Sequence, residues 1–150
     1  MTHIIMNEKD LVNKYIGDAI LAVFGAPIDL DNHADAALIA AIKMQEALIH
    51  FNQKLALEGK SKINCRIGIH SGEVLAGLIG SSARMEYTVI GDTVNIASRL
   101  EKIAKDLHQP ILISEQTNNL LHKYNKNVVF LNEVMIRGRN TPVRVYKKSG

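Results

Sequence analysis

Asp18 stands in an otherwise almost wholly apolar run, YIGDAILAVF. Gly17-Asp18 separates two β-favouring runs, 11–16 and 19–24, by two residues, which is hairpin spacing with hairpin chemistry. A carboxylate on a rigid hairpin tip can ligate a hard divalent cation, although Gly-Asp is also ordinary turn chemistry. Lys14 lies four residues earlier, and even spacing along a strand puts two side chains on one face. A lysine there needs a partner or water, unless it guards an exposed sheet edge. Asn95 and Arg99 are four apart on one expected helix and so share a face. They fall in its first turns, where free N–H groups and the dipole favour anions. An amide and a guanidinium aimed at one point suit a developing phosphate charge; a solvated helix face is the plainer alternative.

The elements that must carry these groups follow from local pattern. After the hairpin and the loop GAPIDLD, Asp31 or Asn32 is expected to cap a long helix. Ala37, Ala41, Met44, Leu48, Phe51 and Leu55 recur along it at helical intervals, and it should stop near Gly59. Ile63, Cys65, Ile67 and Ile69 alternate with polar or small residues, the pattern of a half-buried strand. EVLAGLIG and MEYTVI predict two strands around a turn at Gly80-Ser81-Ser82. Asp92 is expected to cap the helix that carries Asn95 and Arg99, running to about Lys105. Pro110 precedes a strand at 111–113, and Ser114 caps a third helix. Strands at 128–136 and 143–146 flank the turn RGRNTP. Mixed sheet with helices packed on it is an α+β architecture.

Composition sets the outer limits. The chain has 150 residues, 47% of them hydrophobic, enough for one domain with its own core. A net charge of +3 is compatible with a polyphosphate ligand and too weak to argue for nucleic acid. The single cysteine, Cys65, excludes an internal disulfide; it is expected to be a buried strand residue. No apolar run has the length of a membrane span, and MTHIIMNEKD lacks the basic start of a signal peptide. The expectation is a cytoplasmic domain without direct membrane contact, although a longer parent could carry an anchor. The six histidines show no metal spacing, His70-Ser71 shows no acid partner for a hydrolytic triad, and His33 is expected to support a helix start.

Three segments, KYIGDAILAVFGAP, RIGIHSGEVLAGLIGS and EYTVIGDTVNIASRLE, resemble the class III adenylate/guanylate cyclase catalytic domain in order and separation. The likeness continues through PILIS to RGRNTPVRVYKK and covers essentially the whole chain. It implies a ferredoxin-like βαββαβ core with extra C-terminal strands. It implies a phosphorus–oxygen lyase that makes cyclic AMP and pyrophosphate from ATP with two Mg²⁺ or Mn²⁺ ions. It also implies a dimer with a second copy of the domain, arranged head to tail, with sites at the interface. Residue by residue, Asp18 matches a metal-binding aspartate, Lys14 and Thr88 the pair that reads adenine, Asn95 the residue that orients the ribose, and Arg99 the arginine that stabilises the transition state. Arg137 stands where the family places a basic residue, usually lysine, for the triphosphate.

The family domain begins earlier, with a strand that carries a second metal-binding aspartate. Here MTHIIMNE resembles the last turns of the following helix, so the first strand and most of the first helix are expected to be missing. Asp10, Asp29 and Asp31 match no ligand motif. The metal site is therefore expected to be incomplete and this chain to have little activity alone, with open sheet edges that altered packing, self-association or a swapped segment would cover. A catalytically silent cyclase-homology module acting through dimerisation or nucleotide binding is a second reading; nucleotide binding without turnover would mark it. The basic tail alone suggests an RNA-binding domain, but the strands lack paired aromatics for base stacking.

Overall fold

Ile111-Leu112-Ile113 is apolar on both faces of a strand, so it can only sit where both faces are covered. In the computed structural model, which describes residues 1–7, 11–81, 84–136 and 140–149, this segment is the centre of the molecule. The elements in order are α1 (Thr2–Asn7), β1 (Leu11–Ile16), β2 (Ala19–Val23), α2 (His33–Leu57), β3 (Ile67–Ile69), β4 (Leu75–Ser81), β5 (Arg84–Ile90), α3 (Asp92–Asp106), β6 (Ile111–Ser114), α4 (Glu115–Asn119), β7 (Val128–Val134) and β8 (Val143–Lys148). Strands β3, β6, β8 and β7 form a four-stranded sheet in that order, with β3 parallel to β6 and the other pairs antiparallel. The pairs β1–β2 and β4–β5 are separate antiparallel hairpins. Strands and helices mix as the α+β expectation requires.

Alternation along β6 divides the core. Ile111 and Ile113 join Ala34, Leu38 and Ala41 of α2, with Ile69, Leu121 and Val128. Leu112 points the other way, into Ile96, Leu100 and Ala104 of α3, with Ile136, Val143 and Val145. Helix, sheet and helix thus make three layers.

Helix α2 starts at the expected place, with Asn32 as N-cap but without a side-chain capping bond. His33 Nδ1 instead donates to the Leu30 carbonyl at 3.1 Å. The helix ends in a glycine-terminated closure: Gly59 has φ +68°, its N–H bonds the Ala56 carbonyl, and Lys60 N–H reaches back to Leu55. The buried stripe stops at Leu48; Phe51 is exposed and Leu57 is 90% exposed, so the final turns overhang the core. The strand expected from Ile63 is only Ile67–Ile69. Side-chain bonds hold the preceding segment instead: Asn52 pairs with both backbone groups of Ile63, and Gln45 donates to the Cys65 carbonyl. Of the expected turn at Gly80-Ser81-Ser82, Gly80 and Ser81 belong to β4, where Ser81 still pairs with Arg84, and Ser82 lies outside the described residues. The seventh strand ends at Val134, not 136. Among the described residues β2 and β3 each pair with one strand only, so their outer edges stay open.

Asp35 escaped sequence reasoning because helical spacing made it one more polar residue in a first turn. It is 3% exposed. Its carboxylate accepts from the backbone N–H groups of His122, Lys123 and Tyr124 at 3.1–3.4 Å, pinning the loop before β7 to α2. Asp35→Ala would remove the acceptor of three part-buried backbone donors and is expected to lower stability by about 2 kcal/mol. The measurement is a urea titration, with a lower midpoint at unchanged slope; a midpoint equal to wild type would show that water replaces the carboxylate.

Candidate functional site

The β1–β2 hairpin turns at Gly17-Asp18. Gly17 has φ +62°, the left-handed region where a residue lacking Cβ is favoured, and Ile16 opposite Ala19 closes the ladder. Asp18 is exposed at the tip. The expected common face of Lys14 and Asp18 does not hold. Strand alternation ends at Ile16, leaving Asp18 in the turn. Before Lys14 the ladder passes from Val12↔Ala22 to Lys14↔Leu21, an irregularity that accommodates one extra residue; from Lys14 to Ile16 the register is regular. Such a bulge re-aims the side chains beside it. Lys14 is half-buried, on a strand that packs against β5.

Thr88 lies on β5 opposite Gly77 and is only 7% exposed. Three residues on, Gly91 begins α3 with φ +153°, a backbone conformation that side chains rarely adopt. Gly91, not Asp92, is the N-cap. Asp92 is the first helical residue, where a carboxylate still favours the helix dipole. Asn95 is exposed and Arg99 half-buried, beside the buried stripe Ile96, Leu100 and Ala104. The adenine-reading candidate and the Asn95/Arg99 pair therefore sit on either side of one glycine joint.

The position of α3 is set by backbone contact. A Cβ on Gly68 of β3 would lie 2.4 Å from the Glu101 nitrogen and 2.5 Å from the Ala97 oxygen. Only glycine lets the helix approach the sheet this closely. The first turn is held separately: Thr93 Oγ1 donates to the Glu73 carbonyl at 2.7 Å.

Arg137 lies outside the described residues. Asp18 supplies one carboxylate. Among the described residues no group of three or more His, Cys, Asp or Glu could hold a metal ion, so these residues do not compose a two-cation site by themselves.

His70 and Ser71 enter a different arrangement from a hydrolytic triad. His70 Nδ1 and Ser114 Oγ are 2.9 Å apart, Ser71 Oγ and Thr117 Oγ1 3.0 Å, and Ser114 Oγ and Thr117 Oγ1 3.2 Å. Ser114 also caps α4 as expected, accepting from the Thr117 N–H. The network ties the end of β3 to α4. Cys65 is half-buried and lies outside any strand. Burial pushes its thiol pKa up, Glu101 adds to this, and Arg66 pulls part of the way back; it is a poor nucleophile at neutral pH. Phe130 and Tyr146 pair across β7 and β8 with centroids 5.9 Å apart, an aromatic pair that the linear sequence did not reveal. The Arg144 guanidinium covers Phe130 at 4.9 Å and meets Glu115 at 3.3 Å. Among the described residues no helix is long and apolar enough to cross a membrane.

The family profile of the adenylate and guanylate cyclase catalytic domain matches residues 1–148. An adenylate cyclase from Anabaena cylindrica is 38% identical over 142 residues, covering 91% of this chain and 27% of that protein. The crystal structure of the adenylyl cyclase CyaB from P. aeruginosa superposes with a TM-score of 0.88 at 28% identity, covering 99% of this chain and 76% of that one. The guanylyl cyclase Cya2 superposes with a TM-score of 0.85 at 30% identity, covering 99% of this chain and 74% of that one. The chain spans about a quarter of the length of the curated relatives it matches. With profile, sequence and architecture agreeing along nearly its full length, the chain belongs to the adenylate and guanylate cyclase catalytic domain family of class III nucleotide cyclases.

Proposed function

We propose that this domain forms 3′,5′-cyclic AMP from ATP. The 3′-hydroxyl oxygen attacks the α-phosphorus, its proton leaves to base, and the bond to the bridging oxygen breaks to release pyrophosphate. The observation that carries this reading is the joint at Gly91, which sets Thr88 at one end of a short path and Asn95 and Arg99 at the other. A nucleotide lying across it would meet a base reader first and phosphate-facing groups next. Asn95 orients the ribose, and Arg99 balances charge that builds on the α-phosphoryl group. Arg137 is assigned to the triphosphate. Asp18 would give one carboxylate to the site of two Mg²⁺ or Mn²⁺ ions, which would lower the pKa of the attacking hydroxyl and neutralise the polyphosphate.

Asp18 belongs, in this reading, to a different site from Lys14, Thr88, Asn95 and Arg99 of the same chain. A second copy of the domain, placed head to tail, completes each site. The exposed hairpin tip and the exposed Asn95 leave both halves accessible to it.

Base preference follows from hydrogen-bond polarity. Adenine accepts at N1 and donates from N6; Lys14 donates to the first and Thr88 Oγ1 accepts from the second. Guanine reverses both, and each mismatched buried polar group costs roughly 1–3 kcal/mol. Both adenylyl and guanylyl cyclases resemble this chain, so the bases have to be compared by measurement. A Lys14→Glu/Thr88→Cys double variant, in the full chain as the cell makes it, should shift the ratio of ATP to GTP turnover toward GTP by roughly ten- to a hundredfold. An unchanged ratio would refute the assignment.

A further inference from the structure

Around the joint at Gly91, three contacts from one loop converge. Thr93 Oγ1 donates to the Glu73 carbonyl at 2.7 Å. Gly72 comes so close that a Cβ there would sit 2.6 Å from Thr93 Oγ1 and 3.4 Å from Thr93 Cγ2. The far side of Gly91 meets the same loop, with the Glu73 oxygen at 3.4 Å and Val74 Cα at 3.6 Å from the Cβ position. The loop is itself anchored at both ends. Ser71 shares a hydrogen bond with Thr117, and Leu75 begins β4, paired with Ile90 immediately before Gly91.

We infer that Thr93 is a positioning residue. It locks the first turn of α3 onto the loop at 72–74 and thereby sets how Asn95 and Arg99 are aimed relative to Thr88. This rests on the proposed cyclase function for its consequence, but the clamp itself is a property of the fold. The Gly91 conformation leaves the helix start without a side-chain cap, so the cap position does not specify the direction of the first turn. Thr93 supplies that direction by reaching outside the helix. Its hydroxyl meets a carbonyl on the neighbouring loop, and the missing side chain at Gly72 leaves room for it. Gly68 fixes the middle of α3 and Thr93 its start; two points define the orientation of a rigid helix.

The clamp acts on geometry, and a displacement of about 1 Å at reacting groups can cost on the order of a hundredfold in rate. Thr93→Val removes the hydroxyl at nearly constant volume, and Thr93→Ser keeps it. In the full chain as the cell makes it, T93V is expected to lower kcat for ATP roughly ten- to a hundredfold with KM changed less than about twofold. T93S should stay near wild type. Amide hydrogen exchange across residues 91–95 should quicken in T93V and not in T93S. Gly72→Ala should disturb the same amides, because the new methyl group would strike Thr93 Oγ1 and Cγ2. T93V with wild-type kcat, T93S as damaged as T93V, or undisturbed amides at 91–95 would each overturn the inference. A wild-type chain that cyclises no nucleotide would sink the functional reading, and the exchange measurement would still decide the clamp.

Discussion

Arg99→Ala is expected to lower the rate of cyclic nucleotide formation by about 10²–10³-fold, the largest effect of any single change to the candidate site. The guanidinium lies one turn beyond Asn95 on α3, half-buried on a helix seated against the sheet through Gly68. A group held so firmly loses little on meeting charge that develops only during reaction. The loss should therefore fall on kcat, with KM for the nucleotide little changed. Arg99→Lys should recover only part, since an ammonium cannot present the planar fork of donors.

The same variant tests how the site is divided between copies. If Asp18 and Arg99 serve one nucleotide from opposite subunits, an Asp18→Ala chain mixed with an Arg99→Ala chain forms some dimers with one doubly damaged site and one intact site. Equal mixing should restore activity to roughly a quarter of wild type. Absence of any recovery, in subunits shown to exchange, would place both residues in a single-chain site and overturn the dimeric arrangement.

Gly68→Ala should have the largest effect on folding. The added methyl would meet backbone atoms at 2.4 and 2.5 Å, and neither is the free end of a side chain. Either α3 lifts from β3 or the strand bends. Overpacking of a well-packed core costs typically 1–3 kcal/mol, and contact with fixed backbone puts this change at about 3 kcal/mol or more, a large part of the stability of an ordinary domain. Thermal melting should fall by roughly 10 °C or more. Because Leu100 and Ala104 would leave Leu112, Val143 and Val145, amide hydrogen exchange along α3 should quicken. A G68A protein that melts with wild type would show that the helix can shift freely, and would remove the basis for a rigidly aimed Asn95 and Arg99.

Much of the fold was legible along the chain because it depends on neighbours. The Gly17-Asp18 turn, the start of α2, its stop at Gly59 and the Ser114 cap are set by residues within four or five positions, which a linear reading can see. The segment before Ile67 misled that reading: its alternation is a strand pattern, but Asn52 and Gln45 of α2 satisfy its backbone groups at Ile63 and Cys65. Lys14 and Asp18 misled it differently, since the alternation rule presumes an unbroken strand and the turn after Ile16 ends it.

By itself the sequence determined the family, the order of the elements and the chemical types available: a carboxylate at Asp18, a lysine at Lys14, a hydroxyl at Thr88, an amide at Asn95 and a guanidinium at Arg99. Residue type and short-range spacing decide those matters. Tertiary structure alone decided where the groups are held. Asp35 became a buried anchor for a loop 87–89 residues away. Gly68 became the seat of α3, and Thr93 the tie at its start. Each of these works by closing a long-range contact, and hydrogen-bond reach and steric room between distant segments leave no periodic trace in a chain.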